Sequence, residues 1–180
     1  RAQAESALWR DAGENQKAFD AIDAALMIDA DDADLLYESA MLAERIDRMD
    51  EAEKRLRRVI ALQPKRAHAY NALGYSFADR NINLDEARSL IEKAHDLAPD
   101  DAAILDSMGW VAFRQGRMND AESYLKRAYE KFQDGEIAAH LGEVLWALGR
   151  KDEARNIWQT QLKAQPDSDI LKKTIARLER

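Results

Sequence analysis

The sequence contains no cysteine, and proline and glycine are scarce. Its 180 residues include three prolines and seven glycines. Without cysteine the chain can form neither disulfide bonds nor thiolate metal sites. So few prolines and glycines argue against a sheet protein built on many tight turns. No apolar run approaches the roughly 18 residues that a transmembrane helix needs, so the sequence predicts no membrane span.

The chain has a net negative charge and little concentrated positive charge. The formal net charge is −7, although 34% of the residues are charged. Binding to nucleic acid needs clustered lysine and arginine against the phosphates, so the composition argues against a nucleic-acid partner. The one basic run begins at Lys54 and ends at Arg58, with Leu56 inside it and Val59 after it. We therefore expect this run to be the exposed face of an amphipathic helix.

An alanine recurs along the chain at a nearly constant interval. The alanines are Ala18, Ala52, Ala87, Ala121 and Ala154, separated by 34, 35, 34 and 33 residues. All three prolines fall at one position of this period, and six of the seven glycines fall at two others. A helical unit repeated about every 34 residues is typical of a solenoid that stacks helix pairs.

One repeat, residues 67–101, shows the pattern most clearly. Apolar residues at i, i+3 and i+7 from Tyr70 predict one stripe of a helix. Gly74 adds no side chain to that stripe, which suits a place where two helices press together. We expect Asp85 to cap a second helix by accepting backbone N–H bonds, and Pro99 to end the unit.

The order aromatic-x-x-Leu-Gly-x-x-aromatic, then Ala-x-x-x-apolar, Ala and Pro resembles the tetratricopeptide repeat (TPR). The resemblance implies an all-α fold, a right-handed superhelical solenoid of antiparallel helix pairs forming a single array over residues 1–180. The predicted parts are a truncated unit at 1–32, units at 33–66, 67–101, 102–134 and 135–168, and a C-terminal capping helix at 169–180. Such a cap, with a polar outer face, is what a solenoid end requires for solubility.

The chemistry-bearing residues do not assemble into an enzyme site. The three histidines lie at three different positions of the repeat, and no metal-ligand spacing links them. Acidic pairs such as Asp31-Asp32 and Asp100-Asp101 could suggest a metal or acid–base site, but their recurrence at the turn between repeats favours helix capping. We therefore predict no catalytic residues, no metal, no cofactor and no enzymatic activity.

The TPR resemblance implies that the first helix of each unit lines a concave groove. Aligning the units on the Leu-Gly pair places eleven candidate partner-binding residues in this groove: Tyr37, Met41, Asn71, Tyr75, Asp106, Trp110, Phe113, Arg114, His140, Glu143 and Trp146. Aromatic residues with a few polar groups around them are typical of protein-recognition sites. The alternative is that these aromatics pack on neighbouring units. Trp158 falls at a core position, where a structural role is expected.

These residues favour a non-catalytic scaffold or adaptor whose groove binds a protein or peptide with apolar or basic residues. TPR domains that hold the C-terminal carboxylates of chaperones resemble one another in carrying lysine and asparagine at set groove positions. The corresponding positions here hold Tyr37-Glu38, Asn71-Ala72 and Asp106-Ser107, so the cationic clamp is missing and that ligand class is not expected. The alternative is a structural spacer or self-association module of a larger, possibly enzymatic chain. Homo-oligomerisation stays open in either case.

A narrower resemblance concerns where the protein works. Residues 71–75, 106–110 and 139–146 resemble the C-terminal repeats of proteobacterial TPR lipoproteins, some of which bring a periplasmic processing protease to its substrates. The resemblance implies a bacterial protein in the periplasm or anchored to the outer membrane, with the cytoplasm as the alternative. Because the chain begins at Arg1 and not at methionine, we expect it to be part of a longer protein with any signal upstream.

Overall fold

Helices account for the regular structure of the protein. The computed structural model describes residues 2–180, and that range contains no β-strand. Its helices are α1 (Ala2–Asp11), α2 (Asn15–Leu26), α3 (Ala33–Arg45), α4 (Met49–Leu62), α5 (Ala67–Asp79), α6 (Leu84–Leu97), α7 (Ala102–Arg114), α8 (Met118–Lys131), α9 (Gly135–Ala147), α10 (Lys151–Ala164) and α11 (Asp169–Leu178). The predicted all-α architecture is confirmed. No helix in the described range is both long and apolar enough to cross a membrane.

The chain divides into two compact units. The first ends at Leu73 and the second runs from Gly74 to Arg180. The first unit holds α1–α4 and the start of α5, and the second holds the end of α5 and α6–α11. In the second unit α7 pairs with α8, and α9 pairs with α10. That the repeats of both units form one array stays a prediction.

The recurring alanine is buried in every repeat. Each of the five alanines is at most 1% exposed. In the first unit Ala18 and Ala52 pack with Phe19, Ile22 and Leu42. In the second unit the equivalent alanines of α8 and α10 belong to the core that these helices share with α7 and α9. A larger side chain at these positions would overfill a core that has little free space.

A glycine in three of the first helices, α5, α7 and α9, allows the second helix to lie directly against it. A Cβ atom added at Gly74 would lie 2.6 Å from Ile91 Cγ1, and one added at Gly109 would lie 2.5 Å from Leu125 Cγ. At Gly142 the obstacle is the indole of Trp158, whose Cδ1 would be 2.7 Å away. The structure therefore supports the predicted role of Gly74 as a close-approach residue.

Aspartate side chains begin three of the first helices. Asp32 accepts hydrogen bonds from the backbone of α3, Asp101 from α7 and Asp134 from α9. Capping is thus the role of the second aspartate of each acidic pair at the repeat turns, whereas Asp31 pairs with Arg58 and Asp100 with Lys131. The expected cap at Asp85 is wrong, because α6 already begins at Leu84 and its N-cap residue makes no side-chain bond. Asp85 lies in the first turn instead, where its charge still interacts favourably with the helix dipole.

Part of the basic run of α4 faces inward. Arg55 donates to both carboxylate oxygens of Asp23, at 2.6 and 3.1 Å, and to the hydroxyl of Ser39. Its guanidinium lies 4.7 Å from the ring centroid of Phe19, and its side chain is only 15% exposed. The sequence-based expectation of a fully exposed basic face is therefore wrong for Arg55. Its neighbours Lys54 and Arg58 are exposed as expected.

Helix α11 covers the end of the last helix pair, as predicted. It packs mainly on α9, and Leu171 and Thr174 are buried there. Ile175 adds a partly buried contact to the core. Ile170, which the sequence pattern places on the same face, is instead 37% exposed.

Replacing Gly142 by alanine tests the close approach of α9 and α10. Alanine favours a helix over glycine by about 1 kcal/mol, but overfilling a packed core costs about 1–3 kcal/mol. We expect Gly142→Ala to lower the free energy of unfolding in urea. In a Trp158→Leu background the same change should be neutral or stabilising, because the indole that obstructs the new methyl group is gone. If Gly142→Ala lowered the free energy of unfolding by the same amount in both backgrounds, that result would contradict this packing.

Candidate functional site

A group of aromatic and ionisable side chains joins the first helices of the second unit. We call it the His140 cluster: Tyr75 from the end of α5, Asp106 and Trp110 from α7, and Glu136 and His140 from α9. The two residues from α7 are four apart, and so are the two from α9, which places each pair on one face of its helix. Helix periodicity and the stacking of adjacent repeats therefore account for the residues from α7 and α9, whereas Tyr75 reaches α9 across the intervening repeat.

His140 is the centre of the cluster. Its Nδ1 atom lies 2.9 Å from both carboxylate oxygens of Asp106, and the two residues are only 3% and 4% exposed. The imidazole stacks on the indole of Trp110 with ring centroids 4.0 Å apart and an interplanar angle of 21°. The indole Nε1 in turn donates to Asp79 Oδ1 at 3.3 Å. The imidazole, the carboxylate and the indole N–H thus each have a polar partner, as burial requires.

Tyr75 connects α5 to α9. Its hydroxyl donates to Glu136 Oε1 at 2.7 Å and lies 3.4 Å from Nε2 of His140. The Tyr75 and His140 ring centroids are 6.0 Å apart. Because Glu136 and His140 are one helical turn apart, a single tyrosine side chain reaches both. Tyr75 therefore lies over the pair formed by His140 and Asp106.

The pKa shifts in the cluster follow from burial and from its carboxylates. Burial alone would lower the pKa of His140, but the charge and hydrogen bond of Asp106, with Glu136 and Asp79, outweigh burial and raise the pKa. Burial, followed by the charges of Glu136 and Asp79, raises the pKa of Tyr75. Partial desolvation raises the pKa of Glu136, although the residue reaches the surface. The cluster thus favours a protonated imidazole and a phenol that acts as a donor.

Four predicted groove residues lie below the surface. Asp106, Trp110, His140 and Glu143 are between 3% and 8% exposed, so the expectation that these four line an open groove is wrong. Each of the three polar residues, Asp106, His140 and Glu143, contacts a side chain one repeat away. Asp106 contacts His140, and Glu143 accepts from Arg177 Nη1 and Nη2 at 3.0 and 2.6 Å. The packing alternative therefore describes these positions.

The remaining candidates of the second unit stay partly accessible. Phe113 is half-buried, with its ring centroid 5.2 Å from that of Trp110. Arg114 donates to the backbone carbonyls of Ala78 and Asp79 at 3.1 and 3.0 Å, and its guanidinium lies 4.7 Å from the Trp110 ring centroid. Through these contacts the side chain of Arg114 lies over the indole of Trp110.

Trp146 is also half-buried, at the end of α9. It stacks on Trp158 with centroids 5.6 Å apart, and the side chains of Lys151 and Arg155 lie 4.7 and 5.1 Å from its ring centroid. The expected structural role of Trp158 agrees with its 1% exposure. One part of the Trp146 ring packs on this core, and the rest is accessible at the surface.

The other three candidates belong to the first unit, and all are half-buried. The guanidinium of Arg66 lies 4.6 Å from the ring centroid of Tyr37. Met41 and Asn71 lie on α3 and α5. No hydrogen bond or ring contact within the described part of the unit joins these three candidates to one another, and they do not form a cluster like the one around His140.

Two contacts of the site were not foreseen from the sequence. One is the bond between Tyr75 and Glu136, which are 61 residues apart. The other is the pair formed by Glu143 and Arg177, which are 34 residues apart. The repeat length itself signals the second contact, since residues one period apart occupy equivalent positions on adjacent helices. No comparable spacing signals the first.

Comparison with known proteins identifies the repeat. Two tetratricopeptide repeat family models match residues 37–102 and 112–178, which together make up most of the chain. The chain belongs to the tetratricopeptide repeat family. TPR repeats generally mediate protein–protein interaction, and TPR repeat proteins are typically non-catalytic scaffolds. Among residues 2–180, no group of three or more metal-ligating side chains is placed to hold a metal ion.

Curated relatives are much longer than this TPR chain. The TPR repeat-containing protein PA4667 of Pseudomonas aeruginosa is 54% identical over 165 residues, which cover 92% of this chain and 28% of that protein. Human protein O-mannosyl-transferase TMTC1 is 22% identical over 182 residues, which cover 97% of this chain and 20% of the transferase. The chain thus spans less than a third of the length of either relative.

Solved structures with low sequence identity share the fold. TTC0263, a thermophilic TPR protein of Thermus thermophilus, superposes with a TM-score of 0.85 at 22% identity, covering 98% of this chain and 96% of that one. A chain of the APC/C hetero-tetramer Cut9-Hcn1 gives a TM-score of 0.84 at 18% identity, covering 99% of this chain and 35% of that one. At these identities the likeness shows the TPR fold alone.

The pH dependence of stability tests the pair formed by His140 and Asp106. Because the folded state raises the pKa of His140, the pair stabilises the fold fully below the unfolded histidine pKa of about 6.5. That stability is lost as the pH rises through the folded pKa. We expect the urea-derived free energy of unfolding to fall between pH 6 and pH 9, and to fall less in His140→Gln.

The partner substitution provides the control for this pair. Asp106→Asn keeps the shape of the side chain but removes the charge that holds the imidazolium. We expect it to cost about 1–3 kcal/mol at pH 6, as is usual when a buried polar group loses its partner. It should also flatten the pH dependence. A profile that stays the same in both variants would contradict the assignment of the pH dependence to this pair.

Proposed function

We propose that this TPR chain is a non-catalytic protein-binding scaffold or adaptor, and that a partner segment contacts the first-helix surface of its second unit. By first-helix surface we mean the accessible parts of Tyr75, Asp79, Phe113, Glu136 and Trp146. The TPR family membership supports the general role. The observation that carries the location is that exposed carboxylates and half-buried aromatic rings remain here after the packing contacts are accounted for.

The charge of this surface favours a basic partner. Asp79 and Glu136 are exposed, and Asp106 lies buried behind them. The three carboxylates all act on Tyr75, where each contributes to raising the pKa of the hydroxyl. The protonated form of His140 balances one of these charges from below the surface. A lysine or arginine side chain of a partner would find two accessible carboxylates here, with the ring of Tyr75 beside them.

The aromatic residues favour apolar groups in the same partner. Phe113 and Trp146 are held by neighbouring rings, so they lose little side-chain freedom when a partner binds. Rigid aromatic side chains of this kind are frequent at the centre of protein interfaces. A segment that alternates basic and apolar residues therefore fits this surface best.

Peptides selected from a random phage-displayed library against the 180-residue chain test this proposal. We expect the selected peptides to combine lysine or arginine with apolar residues. The double variant Asp79→Asn, Glu136→Gln keeps both hydrogen-bond acceptors but removes two charges, and should weaken binding about tenfold, or about 1.4 kcal/mol. Phe113→Ala should also weaken binding.

The matched control removes two charges elsewhere. Asp85→Asn with Asp96→Asn makes the same change in net charge on the exposed part of α6, and should leave the dissociation constant unchanged. Circular dichroism should show unchanged helix content in all variants. Equal affinity of the selected peptides for the Asp79, Glu136 and Phe113 variants and for the unchanged chain would place the binding surface elsewhere.

The alternative function is a spacer or self-association module of a longer chain. Exposed apolar side chains in the first unit favour it, since Leu8 is 72% exposed and Ile28 is 90% exposed. Sedimentation velocity at several concentrations separates the two functions. A mass that rises with concentration, and that Leu8→Gln with Ile28→Gln abolishes, would support self-association. A mass that stays that of the monomer at every concentration would exclude self-association.

The place of action remains part of the proposal. The resemblance to proteobacterial TPR lipoproteins favours the periplasm or an outer-membrane anchor, and the Pseudomonas relative comes from the same bacterial group. An adaptor in that compartment would hold a partner segment for another protein to act on. Fractionation of the organism's native full-length protein, with a membrane-anchored control, would decide between this location and the cytoplasm.

A further inference from the structure

A cleft with a volume of about 740 Å³ opens in the first unit, between α2, the turn after it and α4. We call it the α2–α4 cleft. Leu26, Met27, Ala30 and Leu36 supply most of its apolar wall, and α4 supplies its charged rim. The volume is in the range of sites that hold ligands or several side chains of a partner. The cleft lies outside the first-helix surface of the second unit.

Met27 is the most unusual residue of the cleft. It is 88% exposed, whereas large apolar side chains of the other repeats are mostly buried. The same repeat position, nine residues after the recurring alanine, is occupied in the later repeats by Ala61, Asp96, Glu130 and Lys163. Three of these four are charged, as expected for a solvated position. The later repeats thus act as internal controls, and they show that the fold does not require an apolar residue at this position.

The rim of the cleft is basic in a chain that is acidic overall. The lining residues include Lys54, Arg55, Arg57 and Arg58 against three carboxylates, although the whole chain has a net charge of −7. All three carboxylates are engaged by arginines: Asp23 by Arg55, Asp31 by Arg58 at 2.6 and 2.8 Å, and Glu51 by Arg48 at 3.4 Å. Arg57 pairs with Glu53 outside the lining at 2.9 Å, whereas Lys54 takes part in no ion pair found among residues 2–180. An acidic group on a partner would therefore meet the uncompensated charge of Lys54 here.

We propose that the α2–α4 cleft is a docking site for an amphipathic helix of a partner protein, with leucine-like side chains on its apolar face and glutamate or aspartate along one edge. Apolar side chains spaced at i, i+3, i+4 and i+7 would contact Met27 and the wall beneath it, as in other helix-in-groove complexes. Met27 suits this role because its unbranched thioether adapts to different shapes. The acidic edge would lie along α4 at Lys54.

Three labelled peptides of about 14 residues, the length of four helical turns, test this proposal by fluorescence anisotropy with the full chain. The first has leucine at i, i+3, i+4 and i+7 and glutamate at most other positions. The second has lysine in place of glutamate, and the third has the composition of the first in scrambled order. We expect the first peptide to bind at least about tenfold more tightly than either of the others. Its affinity should fall as salt rises from about 50 to about 200 mM.

Variants locate the binding site of the first peptide. Met27→Gln preserves side-chain length and should weaken binding about tenfold, while Lys54→Gln with Arg57→Gln should weaken it and reduce the salt dependence. Lys126→Gln with Arg127→Gln on α8 makes the same charge change and should have no effect. The double variant Asp79→Asn, Glu136→Gln should also bind normally, which keeps this test separate from that of the first-helix surface.

Two outcomes would overturn the proposal. One is that the three peptides bind equally, or that Met27→Gln leaves the affinity of the first peptide unchanged. The other is a mass in sedimentation that rises with protein concentration and that Met27→Gln abolishes, because the occupant would then be a second copy of the chain.

Discussion

The helix pairs that begin with α5, α7 and α9 depend on an approach between two helices that is closer than a Cβ atom allows. Gly74, Gly109 and Gly142 provide this approach, and an apolar side chain of the second helix occupies the space in each case. The buried alanines of the second helices reduce the bulk on the other side of the contact. Small residues at these positions therefore set the distance between helices, and that distance decides which side chains can meet.

In the second unit, the regular stacking of first helices brings residues one repeat apart into contact. Asp106 and His140 form one such pair, and Glu143 and Arg177 form another. The pair of Asp106 and His140 is buried on both sides, so it is costly to break. Arg177 is 54% exposed, so solvent screens its pair with Glu143. These contacts use some of the residues that would otherwise face a partner. What remains accessible is a smaller surface with two carboxylates and three partly buried aromatic rings.

The sequence predicted the scaffold well because the scaffold is periodic. Helix periodicity, the recurring alanine and the aspartate caps at Asp32 and Asp101 act over one or two repeats, so they can be recognised without coordinates. The errors concern single side chains. Arg55 turns inward because Asp23 is within reach, and Trp110 is covered because His140 stacks on its ring. Such outcomes depend on a neighbour from another repeat, which the local pattern does not specify.

By itself, the sequence determined the fold class, the position of the helices and the residues that form the buried face of each repeat, because hydrophobic spacing and small residues fix these locally. Only the tertiary structure decided which first-helix residues stay accessible. It also decided that Tyr75 reaches Glu136 and that Met27 stands exposed beside a basic helix. The physical reason is that accessibility and charge balance depend on side chains distant in sequence, whose meeting is set by how neighbouring helices stack.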